Sequence, residues 1–109
     1  MSGTRVILAS AQLNQWAMDF DGNAERILES IKQAKAKGAT YRLGPELEIS
    51  GYGCEDHFLE ADTFEHSDET LAQILASDAT EGILGDIGCP VIFDGVRYNC
   101  RIFCLDHKV

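Results

Sequence analysis

Residues 5 to 13, RVILASAQL, carry apolar or small side chains on both alternating faces. A strand with one wet face alternates apolar with polar residues. This one predicts cover on both sides, the condition of a strand inside an α/β sheet. After NQWAMDFDG the period changes. In NAERILESIKQAKAK, Ile27, Leu28, Ile31 and Ala34 recur at helical spacing, with Asp21 or Asn23 placed to cap the start and Gly38 to supply the left-handed stop. A short second strand, ATYRLG, then ends at Pro45. The chain thus opens β–α–β, and in such units sites gather beyond the carboxyl ends of the strands.

That edge is crowded. Residues 41 to 58, YRLGPELEISGYGCEDHF, hold Glu46 and Glu48, a Gly-Tyr-Gly turn around Tyr52, and then Cys54, Glu55, Asp56 and His57. Downstream, Ser67 is placed to cap a second helix, DETLAQILAS, whose Leu71, Ile74 and Leu75 form a stripe. GILGDIGCPVIF reads as a strand with a glycine break, and Asp94-Gly95 is a strong hairpin signal leading into VRYNCRIFCL. No internal repeat, low-complexity tract or linker interrupts the pattern. The closing DHKV follows another turn, so residues 1–109 are expected to be a truncated α/β unit.

Composition narrows the partners. With 9 Lys and Arg against 18 Asp and Glu, the net charge is −9, which repels phosphate backbones and argues against nucleic acid. No apolar run approaches bilayer length, and the N-terminal apolar run lacks a cleavage site, so neither a membrane nor a signal peptide is expected. Cys54, Cys89, Cys100 and Cys104 contain no Cys-x-x-Cys, and two cysteines four apart on one strand stand roughly 13 Å apart, too far to bridge. Free thiols in a reducing cytoplasm is the simplest account.

Among the candidate side chains, Glu46 follows Pro45 at the mouth of a strand, where a partly desolvated carboxylate can serve as a general base. On spacing alone its plain reading is an exposed loop glutamate. Glu48 falls on the same side if the strand continues, which makes a paired-carboxylate site conceivable. Cys54 with His57 could be nucleophile and base, or a loop thiol beside a surface histidine; His66 and His107 are isolated, so no metal site is expected. Tyr52 is a turn aromatic or a hydroxyl lining a pocket. Asn99, an amide in an apolar strand, needs partners if buried and predicts a pinned neighbouring loop. Lys108 sits in a terminal turn and is set aside as a catalytic lysine.

Pro45-Glu46-Leu47 followed by Gly51-Tyr52 resembles the glutamate motif of the nitrilase (carbon–nitrogen hydrolase) superfamily. The fuller strings NQWAMDFDGN, YRLGPELEISGYGCEDHF and CPVIFDGVRYNCRIF resemble the N-terminal glutaminase domains of the eukaryotic glutamine-dependent NAD synthetases, over nearly all 109 residues. The resemblance implies a partial α-β-β-α sandwich and a Glu-Lys-Cys set in which Glu46 is the base and Tyr52 lies near the glutamine pocket. It implies glutamine as substrate, a thioester intermediate, and ammonia passed to a synthetase domain that uses ATP and Mg²⁺ on deamido-NAD, in a homo-oligomeric parent. No cofactor is expected on this chain itself. The lysine and nucleophilic cysteine of the set match no residue here, so the isolated chain is expected to be inactive. A different nitrilase-type amidase, such as an omega-amidase, or a non-catalytic interaction module are the alternatives.

Overall fold

The computed structural model describes residues 5–109. Four strands form one sheet in sequential order: β1 (Leu8–Ser10), β2 (Tyr41–Leu43), β3 (Leu84–Phe93) and β4 (Val96–Cys104). The first three run parallel and β4 returns antiparallel. Parallel neighbours require crossovers, and two helices supply them. Helix α1 (Phe20–Ala36) joins β1 to β2, and α2 (Ala61–Ala76) lies between β2 and β3.

Both helices pack side by side on one face of the sheet. There Ile27 and Ile31 of α1 and Ile74 of α2 meet Ile87, Cys89 and Cys104 in a single core. Each isoleucine is at most 1% exposed, so each contributes roughly 1.5–3 kcal/mol of burial. Among the described residues no helix covers the opposite face, where only the loop after β2 presses on β3. Leu8 is 69% exposed, and Leu43 and Phe103 are also exposed, so the two-sided cover expected for the first strand is corrected. Strand β1 is a three-residue edge strand, and the sheet with its one helical layer forms the α-β half of an α-β-β-α sandwich.

Three local expectations shift as well. Helix α1 begins earlier than expected because Asp19, not Asp21 or Asn23, accepts from Gly22 N–H at its start. Asn23 lies buried inside the first turn as a strut, donating to Trp16 O at 2.8 Å and Ile49 O at 3.1 Å. Ser67 is interior to α2 and donates to Thr63 O at 2.7 Å. Thr70 likewise bonds backward along the helix, to His66 O at 2.7 Å, while Thr63 ties the helix start to His57 O at 2.7 Å. Strand β3 runs unbroken through Gly85 and Gly88. The expected hairpin forms, with Asp94 and Gly95 both at positive φ as a two-residue turn of this twist requires.

Candidate functional site

The crowded segment leaves the sheet at Leu43 and turns back along β3. Gly44 N–H donates to Asp86 O at 3.0 Å and Ile49 N–H to Gly88 O at 3.2 Å, so the loop continues the ladder where β2 stops. Between these anchors Leu47 takes a φ of 49°, the left-handed region that a branched residue rarely adopts. That single reversal sends the two glutamates to different environments.

Glu48 turns inward. Its Oε1 accepts from Arg42 Nη2 at 2.7 Å, and its Oε2 accepts from Arg42 Nη1 and from Gly88 N–H, both at 3.0 Å. Both side chains of the ion pair have 0% exposure. Burial pushes the Glu48 carboxyl up, opposed by the Arg42 guanidinium and the Gly88 N–H. Arg42 is held in turn by Ser30 of α1, at 2.8 and 3.0 Å. A carboxylate this saturated is a structural anchor, and the conceivable pairing of Glu46 with Glu48 does not form.

Glu46 turns outward and is exposed. Its Oε1 accepts from Asn99 Nδ2 of β4. Asn99 is exposed, not buried, yet it pins the neighbouring loop as expected. Two positions along the same strand, Arg101 donates to Pro45 O at 3.1 Å and to Gly44 O at 2.9 Å, and pairs with Asp86 at 2.7 Å. Asp86 also accepts from the Tyr41 hydroxyl. Opposite Arg101 in the ladder stands Gly88, where a Cβ would lie 2.3 Å from Pro45 O and 2.6 Å from Leu47 N. Only a glycine lets the loop press against β3. Beside Leu47 and Asn99, a cavity of about 200 Å³ opens between Phe58, Phe64, Pro90 and Arg97.

The other candidates separate from Glu46. Tyr52 is 69% exposed, in open solvent on the Gly-Tyr-Gly turn. Cys54 is buried and its thiol points to Ser50 O and Gly51 O, both at 3.2 Å. The His57 ring instead faces Glu60 at 3.3 Å, so thiol and imidazole are not brought together as nucleophile and base. All four cysteines are free; burial pushes the Cys89 thiol up to about 12 and raises that of Cys104. His107 is isolated in sequence but not in space. Its Nε2 lies 2.9 Å from Glu81 Oε1, near Asp78, while its Nδ1 donates to Leu75 O at 2.7 Å. The Glu81 carboxylate and then the Leu75 carbonyl hold its pKa above the ordinary histidine value, and Asp78, Glu81 and His107 form an exposed trio.

Sequence reasoning missed Arg42, Gly88 and Arg101. For Arg42 a signal existed: a guanidinium within an apolar strand needs a buried acid, and Glu48 follows six residues later.

Comparison with known proteins agrees with this architecture. The carbon–nitrogen hydrolase family model matches residues 7–108. The chain is similar to a glutamine-dependent NAD(+) synthetase of Dictyostelium discoideum, with 62% identity over 105 residues, 95% of this chain and 15% of that protein. The corresponding synthetase of Oryza sativa subsp. indica is 60% identical over 102 residues, 94% of this chain and 14% of its own length. Among solved structures, a glutamine-dependent NAD(+) synthetase from Cytophaga hutchinsonii superposes with a TM-score of 0.85 at 33% identity, over 91% of this chain and 17% of that one. The chain thus spans about one seventh of the length of the curated relatives it matches.

Proposed function

Because the chain belongs to the carbon–nitrogen hydrolase family, we propose that residues 1–109 are the base-bearing N-terminal part of a glutamine amidohydrolase domain in a glutamine-dependent NAD synthetase. The observation that carries this reading is the division of labour on one loop. Glu48 is consumed by Arg42, while Glu46 stays exposed and is held by a single neutral amide. Glu46 is then the general base that takes the proton of a cysteine thiol. The thiolate attacks the side-chain amide of glutamine, ammonia leaves, and the thioester is hydrolysed.

Three of the four thiols here are too buried for that nucleophile, and Cys100 stands next to Asn99 on β4, on the opposite face of the strand. Cys54, Cys89 and Cys104 are buried, and burial disfavours thiolate at Cys89 and Cys104. In this reading the lysine and cysteine of the set come from residues past Val109, and Tyr52 borders the glutamine pocket once they are present. Ammonia passes to a synthetase portion that amidates deamido-NAD with ATP and Mg²⁺. With its net charge of −9, this segment suits a triphosphate poorly, and no step on it uses those groups. The homo-oligomeric parent and cytoplasmic location belong to the same proposal; four free thiols favour a reducing compartment.

The test is Glu46→Gln in the full-length enzyme. Glutamine-dependent NAD formation should fall by roughly 10²–10⁴-fold, the usual worth of general-base assistance, while ammonia-dependent synthesis persists. Glutaminase activity that survives Glu46→Gln overturns the assignment.

A further inference from the structure

We infer that Asn99 is a positioning residue for the base: its side-chain amide orients the Glu46 carboxylate, on a loop whose backbone Arg101 clamps from the same strand. The inference rests on the reading of Glu46 as base. It begins with the register of β4. Residues two apart on a strand share a face, so Asn99 and Arg101 both project over the side of the sheet without helices, opposite Pro90 and Gly88. Gly88 offers no side chain there, and the Pro45–Leu47 backbone fills the space. Arg101 then captures the Gly44 and Pro45 carbonyls at 2.9 and 3.1 Å, which fixes where the Glu46 backbone lies.

A glutamate side chain still has three free torsions after its backbone is set. Asn99 Nδ2 removes that freedom by donating to Oε1. Among the described residues no protein group bonds Oε2, which is left to accept a proton. The chemical type of the partner matters as much as the contact. An arginine at this place would saturate the carboxylate, as Arg42 does to Glu48 with two donors. A neutral amide orients one oxygen without adding a charge that would oppose protonation of the other. When a thiol gives its proton to Oε2, the sulfur keeps the electron pair, and the Asn99 bond to Oε1 is unchanged.

The test uses the full-length enzyme with Asn99→Ala and Asn99→Asp, measuring kcat, KM and the pH–rate profile of glutamine hydrolysis. Misplacing a reacting group costs on the order of 10–100-fold, so Asn99→Ala should lower kcat by that factor with little change in KM. Asn99→Asp preserves shape but sets a second carboxylate against Glu46, so the acid limb of the profile should move to higher pH. The moved limb reports that position 99 touches the base, the loss of kcat in Asn99→Ala at constant KM is what a purely structural asparagine would not give, and thermal melting of both variants separates misfolding from misorientation. Well-folded Asn99 variants with wild-type kcat and an unmoved limb overturn the inference while leaving Glu46 as base. Loss of the Glu46→Gln effect overturns the underlying reading instead.

Discussion

At the scale of single residues, the handedness of Leu47 decides which glutamate stays exposed and which is buried as an anchor. Alternation along a continuing strand would have set Glu46 and Glu48 side by side. No local pattern in PELEIS announces a left-handed leucine, because φ > 0 at a branched residue is imposed by tertiary contacts: Arg42, Gly88 and Ser30 grip one side of the turn and Arg101 the other. Glu46 itself was readable from its motif, whereas its partner was readable only as an asparagine in search of a loop. The two carboxylates should therefore respond oppositely to the same change. Glu48→Gln removes the countercharge of a fully buried guanidinium and should cost about 3–5 kcal/mol, seen as a lower urea midpoint by circular dichroism. Glu46→Gln sits at the surface and should stay within about 0.5 kcal/mol of the parent. Equal midpoints for the two variants would contradict the burial of the Arg42–Glu48 pair.

Elements were legible where a short-range rule governs them. The β3–β4 hairpin followed from Asp94-Gly95, since two adjacent left-handed residues are natural to that pair and to few others. Helix α1 followed from its apolar spacing, though its start did not, because Asp19, Asp21 and Asn23 are all competent caps and only packing against Trp16 and Ile49 selects among them. The glycine break expected in GILGDIGCPVIF does not form, and Gly88 within that strand is a contact surface. Gly88→Ala should test this directly. Its Cβ would meet backbone atoms of Pro45 and Leu47, which cannot swing aside as a side chain could. We expect a loss of about 1–3 kcal/mol from overpacking, together with a displaced Glu46 loop visible as altered amide shifts for residues 44–49. By contrast Gly53, with open space around it, should accept alanine with little effect. Similar outcomes at both glycines would argue against the close approach.

For the whole molecule, the face of the sheet without helices was the least legible feature, because a two-faced apolar strand says that cover is needed and not whether this chain supplies it. Leu8, Leu43, Ile92 and Phe103 on this face are 39–69% exposed, a density of apolar surface that invites association. The 109-residue protein should therefore sediment as oligomers at micromolar concentration, and Phe103→Lys should shift it toward monomer. The same preparation should release no ammonia from glutamine above the rate of a Glu46→Gln control, since a base without an activated thiol has nothing to deprotonate. Steady turnover would mean that one of the four cysteines serves after all.

Strand order along the sheet matches strand order along the chain, and this has a consequence for timing during synthesis. Each strand can pair with the one just made, so the sheet grows from β1 toward β4 as the polypeptide emerges. The two side chains that govern Glu46 arrive last: Asn99 is 53 positions after it, and Arg101 is 57 after Gly44. At about 5–20 residues per second, the ribosome leaves the Glu46 loop without its clamps for roughly 3–10 s. The carboxylate exists first as an ordinary solvated acid. It gains a direction only when the hairpin closes from Asp94-Gly95.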